Sequence, residues 1–331
     1  MRRVATLFSA LTLATLSWTA GTAAHAAPAS SPSAEGAGTS VSTEEQRAAV
    51  RFWTTDRLRA AQDVTALPAA RTAKLATAPP TTGERVSVPP LPGPVAATSA
   101  PSTRATSPTA WTGGGLISTT AGKVFFQNAS GGTFACSATV ANSDNRSVVL
   151  TAGHCVVDAA TGTGYRNWVF IPGYSNGNRP YGTFSARSLF WEPQYVSTRS
   201  NANWDYAFAV MSTLNGRTLA ETVGAQGIAF NSQTGRHVHS FGYGGSAAEG
   251  NGERLNHCEG DEFPDAGRPG STMWGIDCVQ TGGSSGGGFL ADFSGGGGYL
   301  IGNISVSAGA NEYHPTLGNE ALDLYRRAGA A

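Results

Sequence analysis

Three short stretches of this chain carry residues able to do chemistry together. Thr151-Ala152-Gly153-His154-Cys155 follows directly on the apolar run Ser147-Val148-Val149-Leu150. An imidazole at a strand end, pinned by a neighbouring cysteine, is held in one orientation. That suits a general base, which must meet its proton donor within hydrogen-bond reach. Thr281-Gly282-Gly283-Ser284-Ser285-Gly286-Gly287-Gly288 is a glycine-rich turn between apolar runs and close to Cys278. Glycine permits positive φ, so the amides of Gly283 and Ser285 can converge on one oxygen while the Ser285 hydroxyl attacks a carbonyl carbon. Asn203-Trp204-Asp205 leads into Tyr206-Ala207-Phe208-Ala209-Val210. A carboxylate at the rim of a core needs a partner, and the ring N–H of His154 is a natural one. Asp144 and Asp158 compete for that role from turn-like, solvated contexts. Taken singly, His154 has a weaker competing reading as a structural histidine beside a disulfide, and the serine turn as a flexible linker. Taken together the three stretches supply base, orienting acid and nucleophile for acyl transfer.

The elements around them must be strands. From Trp111 onward, short apolar runs alternate with turns rich in Gly, Asn, Ser and Asp, the residues β-turns require. Lys123–Gln127, Thr133–Val140, Ser147–Ala152, Trp168–Pro172, Tyr206–Met211, Val238–Tyr243, Thr272–Cys278 and Tyr299–Ser307 read as strands. No strand–helix alternation points to a parallel sheet. One helical pattern closes the chain at Asn319–Arg327, with Leu322 and Tyr325 three apart. The expected fold class is all-β, a sandwich or barrel with a short C-terminal helix, and about 220 residues suffice to bury its core.

All four cysteines, Cys136, Cys155, Cys258 and Cys278, lie in this region. An even count in an exported protein reads as two disulfides, and the spacings do not resemble paired Cys-x-x-Cys zinc ligands. Three pairings are open; Cys136–Cys155 with Cys258–Cys278 is preferred. Lys+Arg and Asp+Glu balance at 22 each, with 12 against 16 from Trp111 on, so no basic surface for nucleic acid is evident. The acidic run Glu249, Glu253, Glu259, Asp261, Glu262 and Asp265 reads as a solvated loop rather than a calcium site. His237, His239 and His257 show no metal-ligand spacing. No metal or other cofactor is expected.

The N-terminal third differs in character. Met1-Arg2-Arg3, the apolar stretch from Val4 to Trp18 and Ala24-His25-Ala26 form a signal-peptide pattern over residues 1–26, too short and broken to span a membrane. Residues 27–110 are rich in Ala, Ser, Thr and Pro and cannot bury enough apolar surface to fold alone. Within them Thr43 to about Asp63 is helical in pattern, with Thr43-x-x-Gln46 as a capping box and Ala49, Trp53 and Ala60 near one face. We read this as a pro-segment helix that docks on the domain of residues 111–331 as intramolecular inhibitor or chaperone. The maturation point is expected between Arg104 and Gly115, and the product as a secreted, extracellular monomer.

Thr-Ala-Gly-His-Cys, then Asp-Tyr-Ala-Phe, then Gly-Gly-Ser-Ser-Gly-Gly, in the order His, Asp, Ser, resembles the chymotrypsin-like serine peptidases. The bacterial secreted branch is the nearest, with its glutamyl endopeptidases and actinobacterial trypsin-like members, and the likeness covers roughly Gly122 to Ser307. It implies two six-stranded antiparallel β-barrels with an active site between them, and hydrolysis of peptide bonds in protein or peptide substrates through an acyl-enzyme. His154, Asp205 and Ser285 would be the catalytic triad, with the Gly283 and Ser285 amides as oxyanion hole. Phe52-Trp53-Thr54 and Arg57 resemble actinobacterial pro-segments. Two departures stand out. Ser284 occupies a position where many members carry Asp. At the specificity pocket, Val279 replaces the acid of trypsin-like pockets, and Asn303-Ile304-Ser305 stands where glutamyl endopeptidases place a histidine, with Ile304 and Ser305 as pocket candidates; His314 lies further on. Two other functions share parts of the pattern. Gly283-x-Ser285-x-Gly287 also spells the nucleophile elbow of esterases and lipases, whose order is Ser, Asp, His. A non-catalytic binding module on the same fold would be expected to have lost a triad member, and none is missing.

Overall fold

The computed structural model describes Met1 and residues 37–64, 78–93 and 105–331. The rest of the expected signal peptide lies outside these residues. Six antiparallel strands close into a barrel in the order Phe184–Trp191, Arg166–Pro172, Ala121–Gln127, Thr133–Ala141, Val148–Thr151, Ala207–Met211 and back to Phe184–Trp191. Alternate side chains point to opposite faces of a strand, so Val124 and Phe126 of Ala121–Gln127 turn into the barrel core with Val149, Phe170 and Phe208. Phe125 points outward, yet it is fully buried.

The cover over Phe125 comes from the N-terminal segment. A helix at Thr43–Phe52 and a turn of helix at Thr55–Ala60 lay Ala49, Trp53 and Leu58 over Phe125, Val169, Ile171 and Tyr174. Trp53 is 1% exposed, and its indole donates to the Asn167 carbonyl at 2.6 Å. Both faces of this barrel wall are therefore dry, which is why Val124-Phe125-Phe126 reads as an unbroken apolar run. The helix begins one residue earlier than its sequence pattern suggested. Ser42 is the N-cap and Glu45 completes the box, because an N-cap needs the extended backbone that Ser42 has and Thr43 lacks. The segment also adds Ala37–Ser40 antiparallel to Phe184–Trp191 and Val86–Val88 antiparallel to Gly227–Phe230.

The second half is less regular. A seven-stranded sheet runs Val86–Val88, Gly227–Phe230, Gly297–Asn303, Gly288–Ser294, His237–Gly242, Asn256–Asp261 and Thr109–Ala110, and a four-stranded sheet contains Trp274–Ile276, Asn311–His314 and Val306–Ala308. The Cys258–Cys278 disulfide stitches the two sheets together, and Phe289, Ile276, Ile301 and Ile304 fill the space between them. The terminal helix, Asn319–Ala330, packs Tyr325 against Phe208 of the first barrel and Phe230 of the second half. Among the described residues no helix is long and apolar enough to cross a membrane.

Phe184–Trp191, Gly227–Phe230, Asn256–Asp261, Gly288–Ser294 and Asn311–His314 were not read from the sequence, and Phe184–Trp191 shows one reason. A bulge between Ala186 and Ser188 shifts its register. Phe184 and Ala186 point inward, then Leu189 and Trp191, and the period-2 signal breaks between them. The run Tyr299–Ser307 is likewise divided, ending as a strand at Asn303 and resuming at Val306. The acidic run is not a solvated loop throughout. Glu249, Glu262 and Asp265 are buried, each with a partner that offsets its desolvation: the Thr281 amide, the His314 ring and the Arg268 guanidinium.

Candidate active site

His154 sits in a short 3-10 turn, Gly153–Cys155, directly after the Val148–Thr151 strand. Asp205 follows a second such turn, Ala202–Trp204, at the mouth of Ala207–Met211. Those two strands pair, Ala207 opposite Thr151, so the two turns leave the barrel side by side. The Asp205 carboxylate then grips His154 twice, accepting from its backbone N–H at Oδ1 and lying at Nδ1 through Oδ2, both at 2.8 Å. An added Cβ at Gly153 would stand 3.1 Å from Asp205 Oδ1, so glycine there admits the close approach.

Asp205 is 3% exposed. Burial works against its ionisation, but the His154 charge, the hydrogen bond from the ring and those from the Ser305 hydroxyl and His154 amide outweigh it. The carboxyl is held below its usual range. Since Asp205 then only accepts, Nδ1 of His154 carries the proton. Nε2, the other nitrogen, makes no hydrogen bond among the described residues, and the ring keeps 22% of its surface exposed.

Ser285 stands in the turn between Trp274–Ile276 and Gly288–Ser294 and is 8% exposed. Gly283 has φ +93 and Gly286 φ +84. At Gly286 an added Cβ would fall 2.2 Å from Thr151 Oγ1 and 2.3 Å from the Ser137 carbonyl, so the turn is pressed against the first barrel where only glycine fits. Within it Ser284 donates to Thr281, and Gly286 and Gly287 find carbonyl partners. Among the described residues the amides of Gly283 and Ser285 donate to nothing, which leaves both for an incoming oxyanion.

Ser137 clasps this turn to the first barrel. Its amide donates to the Ser285 carbonyl and its hydroxyl to the Gly283 carbonyl, each at 2.8 Å. It also follows Cys136, which is bonded to Cys155 beside His154. One covalent and hydrogen-bonded path thus connects the histidine turn with the serine turn across two sheets.

Of the residues marked for the specificity pocket, Ser305 is turned to the carboxylate, Oγ to Asp205 Oδ2 at 2.5 Å. The strand break at Ile304 makes this possible, because Ile304 pairs with Gly286 and Gly287 while Ser305 crosses to Tyr313. Ile304 is buried and Val279 half-buried. His314 offers nothing to a ligand; it is 1% exposed, with Nε2 on Glu262 Oε1 at 2.7 Å and Nδ1 on the Pro315 carbonyl at 3.1 Å. Sequence reasoning missed Ser137 and Glu249, which accepts from the Thr281 amide at 3.0 Å; Asn303, read only as part of the pocket stretch, donates its side-chain amide to the Asp205 carbonyl at 3.0 Å. Only the adjacency of Ser137 to Cys136 could have signalled one of these.

A family profile described as Trypsin matches residues 117–318. Among solved structures, Protease Anisep from Arthrobacter nicotinovorans is 38% identical with a TM-score of 0.61, over 64% of this chain and 96% of that one. The thermostable serine protease AL20 from an extremophilic microorganism is 34% identical, TM-score 0.61, over 65% and 99%. A Glu endopeptidase in complex with MPD, 16% identical with a TM-score of 0.55 over 70% and 99%, shares the fold. No curated protein matches significantly.

Proposed function

The chain belongs to the trypsin family of serine peptidases, and from that premise we propose that it is an exported endopeptidase in which Ser285, His154 and Asp205 divide the work of acyl transfer. Ser285 Oγ attacks the scissile carbonyl carbon as His154 Nε2 takes its proton. The carbonyl electrons move to an oxyanion held by the Gly283 and Ser285 amides. His154 returns the proton to the leaving amine as the C–N bond breaks, and water then repeats the sequence on the acyl-enzyme. Asp205 fixes the imidazole tautomer and stabilises its cation. The observation that carries this reading is the double grip of Asp205 on His154, which leaves Nε2 unpaired beside a turn with two unpaired amides. His154 and Ser285 make no direct hydrogen bond here, as is common before substrate binds.

The test is cleavage of a proteome-derived peptide library by the processed protein beside Ser285→Ala. Cuts that vanish in the variant, with fluorophosphonate labelling of wild type alone, are expected. Equal silence from both, on folded and processed protein, would sink the peptidase assignment of these residues. The flanking residues of the cuts would reveal the pocket around Val279 and Ile304. With Val279 where a trypsin-like pocket has an acid, cuts after Arg or Lys are not expected.

Residues 27–110 act, in this reading, as a pro-segment removed after export. Support comes from the buried Trp53 and from Gln62–Asp63, which pairs in parallel with Phe134 and Ala135, just ahead of Cys136 and Ser137. The Asp63 carboxylate fills space beside the catalytic turn: an added Cβ would lie 1.7 Å from it at Gly245 and 2.8 Å at Gly283. Burial pushes the Asp63 carboxyl up, with Lys123 opposing and Glu249 adding to the rise. Full-length Asp63→Ala is expected to react with fluorophosphonate faster than the full-length wild type; an unchanged rate would remove Asp63 from the block.

A further inference from the structure

Three of the chain's six histidines fall on one face of a strand pair that the peptidase reading does not use. In the pairing of His237–Gly242 with Asn256–Asp261, His237 stands opposite Asp261, His239 opposite Glu259 and Phe241 opposite His257. Residues two apart share a face, so His237, His239, His257, Glu259 and Asp261 form a single stripe. Spacing along the sequence hides this, because the register and not the chain brings the donors together.

We infer that His237, His239 and Glu259 form a binding site for a divalent transition-metal ion of the zinc class on the second half of the molecule. One donor atom from each lies within 4.8 Å of the others, and His239 Nδ1 is 3.2 Å from Glu259 Oε2. Tetrahedral zinc bonds of about 2.0–2.2 Å place ligand atoms roughly 3.3 Å apart, so a small inward movement completes the set. Two imidazoles and a carboxylate suit zinc and its neighbours far better than calcium or magnesium, which take oxygen shells.

The surroundings are those of a supported site. Asp261 Oδ1 lies 2.7 Å from His237 Nδ1. As a carboxylate it accepts the Nδ1 proton, and Nε2 of His237 keeps its lone pair for an ion; carboxylates behind ligating histidines are a recurrent supporting arrangement. His257 Nε2 stands 2.9 Å from His239 Nδ1, a contact that an ion on Nδ1 would replace, since a ligating nitrogen keeps no second lone pair. Glu259 uses its second oxygen elsewhere: Oε1 accepts from the Ala105 amide at 3.1 Å, and the Glu259 amide donates to the Ala105 carbonyl at 2.9 Å. An ion on Glu259 would therefore also hold the strap that runs from Ala105 into Thr109–Ala110, which pairs with Asn256 and His257. That strap includes the start of the region where maturation is expected.

The experiment is calorimetric titration of Zn2+ into chelator-treated full-length protein carrying Ser285→Ala, which prevents self-digestion. One Zn2+ per chain is expected, with a Tm raised by about 5 °C under saturating metal and no heat from Mg2+. His237→Ala and Glu259→Gln should each weaken binding at least about tenfold, and together abolish it. Glutamine retains an oxygen for the Ala105 amide, so Glu259→Gln isolates metal binding from the strap contact, and circular dichroism of each variant checks that it folds. Replacing Zn2+ by Co2+ should give the visible spectrum of a tetrahedral ion, absent in the double variant. If wild type takes up no Zn2+, or the double variant binds it as tightly, the assignment is wrong and the stripe is a set of cross-strand ion pairs only.

Discussion

Among the described residues two histidine rings each meet a buried carboxylate, and the two couples differ in what the second ring nitrogen does. His154 meets Asp205 at 2.8 Å at the edge of the first barrel, and His314 meets Glu262 at 2.7 Å inside the second half. Both carboxyls are held below their usual range despite burial that works against ionisation, Asp205 by His154 and Glu262 by His314 and backbone amides. At His314 the other nitrogen is spent on the Pro315 carbonyl. Both of its nitrogens face acceptors within the fold, so neither is open to a reacting group. At His154 the other nitrogen is unpaired and partly exposed. A couple becomes a base when the fold leaves it half satisfied, and a strut when the fold satisfies it fully.

Removing the carboxylate from the first couple should have the largest effect. Asp205→Asn presents an amide to Nδ1, so the imidazole favours the tautomer with its proton on Nε2, where it cannot accept from Ser285. A fall of about 10^3–10^4-fold in kcat is expected, with the protein still folded by circular dichroism. A loss smaller than tenfold would mean that Asp205 does not set the tautomer.

The second couple should respond in stability instead. His314→Ala leaves the Glu262 carboxylate buried without its partner, which costs about 3–5 kcal/mol and lowers Tm by roughly 10 °C. The double change His314→Gln with Glu262→Gln removes the orphaned charge and should recover much of that. At a temperature where His314→Ala is folded, kcat/KM should stay near wild type. A catalytic defect as large as the one from Asp205→Asn would erase the distinction between base and strut.

Glu312 shows what a buried carboxyl does with no imidazole beside it. Its neighbours are the Ser240 hydroxyl and the Gln280 amide, the latter at 2.9 Å. Burial dominates and pushes it up to about 7. The signs of the two cases are opposite. Asp205 and Glu262 contribute stability that is present above the unfolded carboxyl pKa and is lost as pH falls through their lower folded values. Glu312 is protonated when folded, so its share is complete below about 4.5 and is lost as pH rises through about 7, on the order of 3 kcal/mol over that window. Urea unfolding of Glu312→Gln from pH 5 to 8 should show a flatter pH dependence than wild type. Parallel curves would mean that Glu312 is ionised in the fold at pH 5.

The same contrast explains what was legible in the sequence. His154, Asp205 and Ser285 were marked because each lies in a local pattern: a strand end before a cysteine, an acid before an apolar run, a serine among glycines. The barrel strands with regular alternation were legible for the same reason. The Glu262–His314 couple spans 52 positions and leaves no local trace. Phe184–Trp191 was hidden by its bulge, and Ser137 acts through a disulfide and two carbonyls that only the fold brings near. Trp53 was visible as one face of a helix, but its burial against Phe125 depends on the barrel beneath it. Local pattern reveals what a residue can do; partners distant in sequence decide whether it is a base or a strut.

The smallest expected effect falls on the residue that links the serine turn with the carboxylate. Ser305 was placed in the pocket by its position, yet its hydroxyl donates to Asp205 Oδ2, the oxygen that also holds His154 Nδ1. Ser305→Ala removes one hydrogen bond to a charged group, about 1.5–3 kcal/mol when buried. Part of this should reach the rate, because an Asp205 with fewer donors draws the His154 proton more strongly. That raises the imidazole's affinity for protons. The acidic limb of the kcat/KM profile should therefore move to higher pH, with kcat at its plateau reduced by less than about tenfold. Two other donors to Asp205 remain, the ring and the amide of His154, so the couple survives. An acidic limb that moves the other way, or a change in cleavage preference with the limb unmoved, would return Ser305 to the pocket and leave Asp205 oriented by His154 alone.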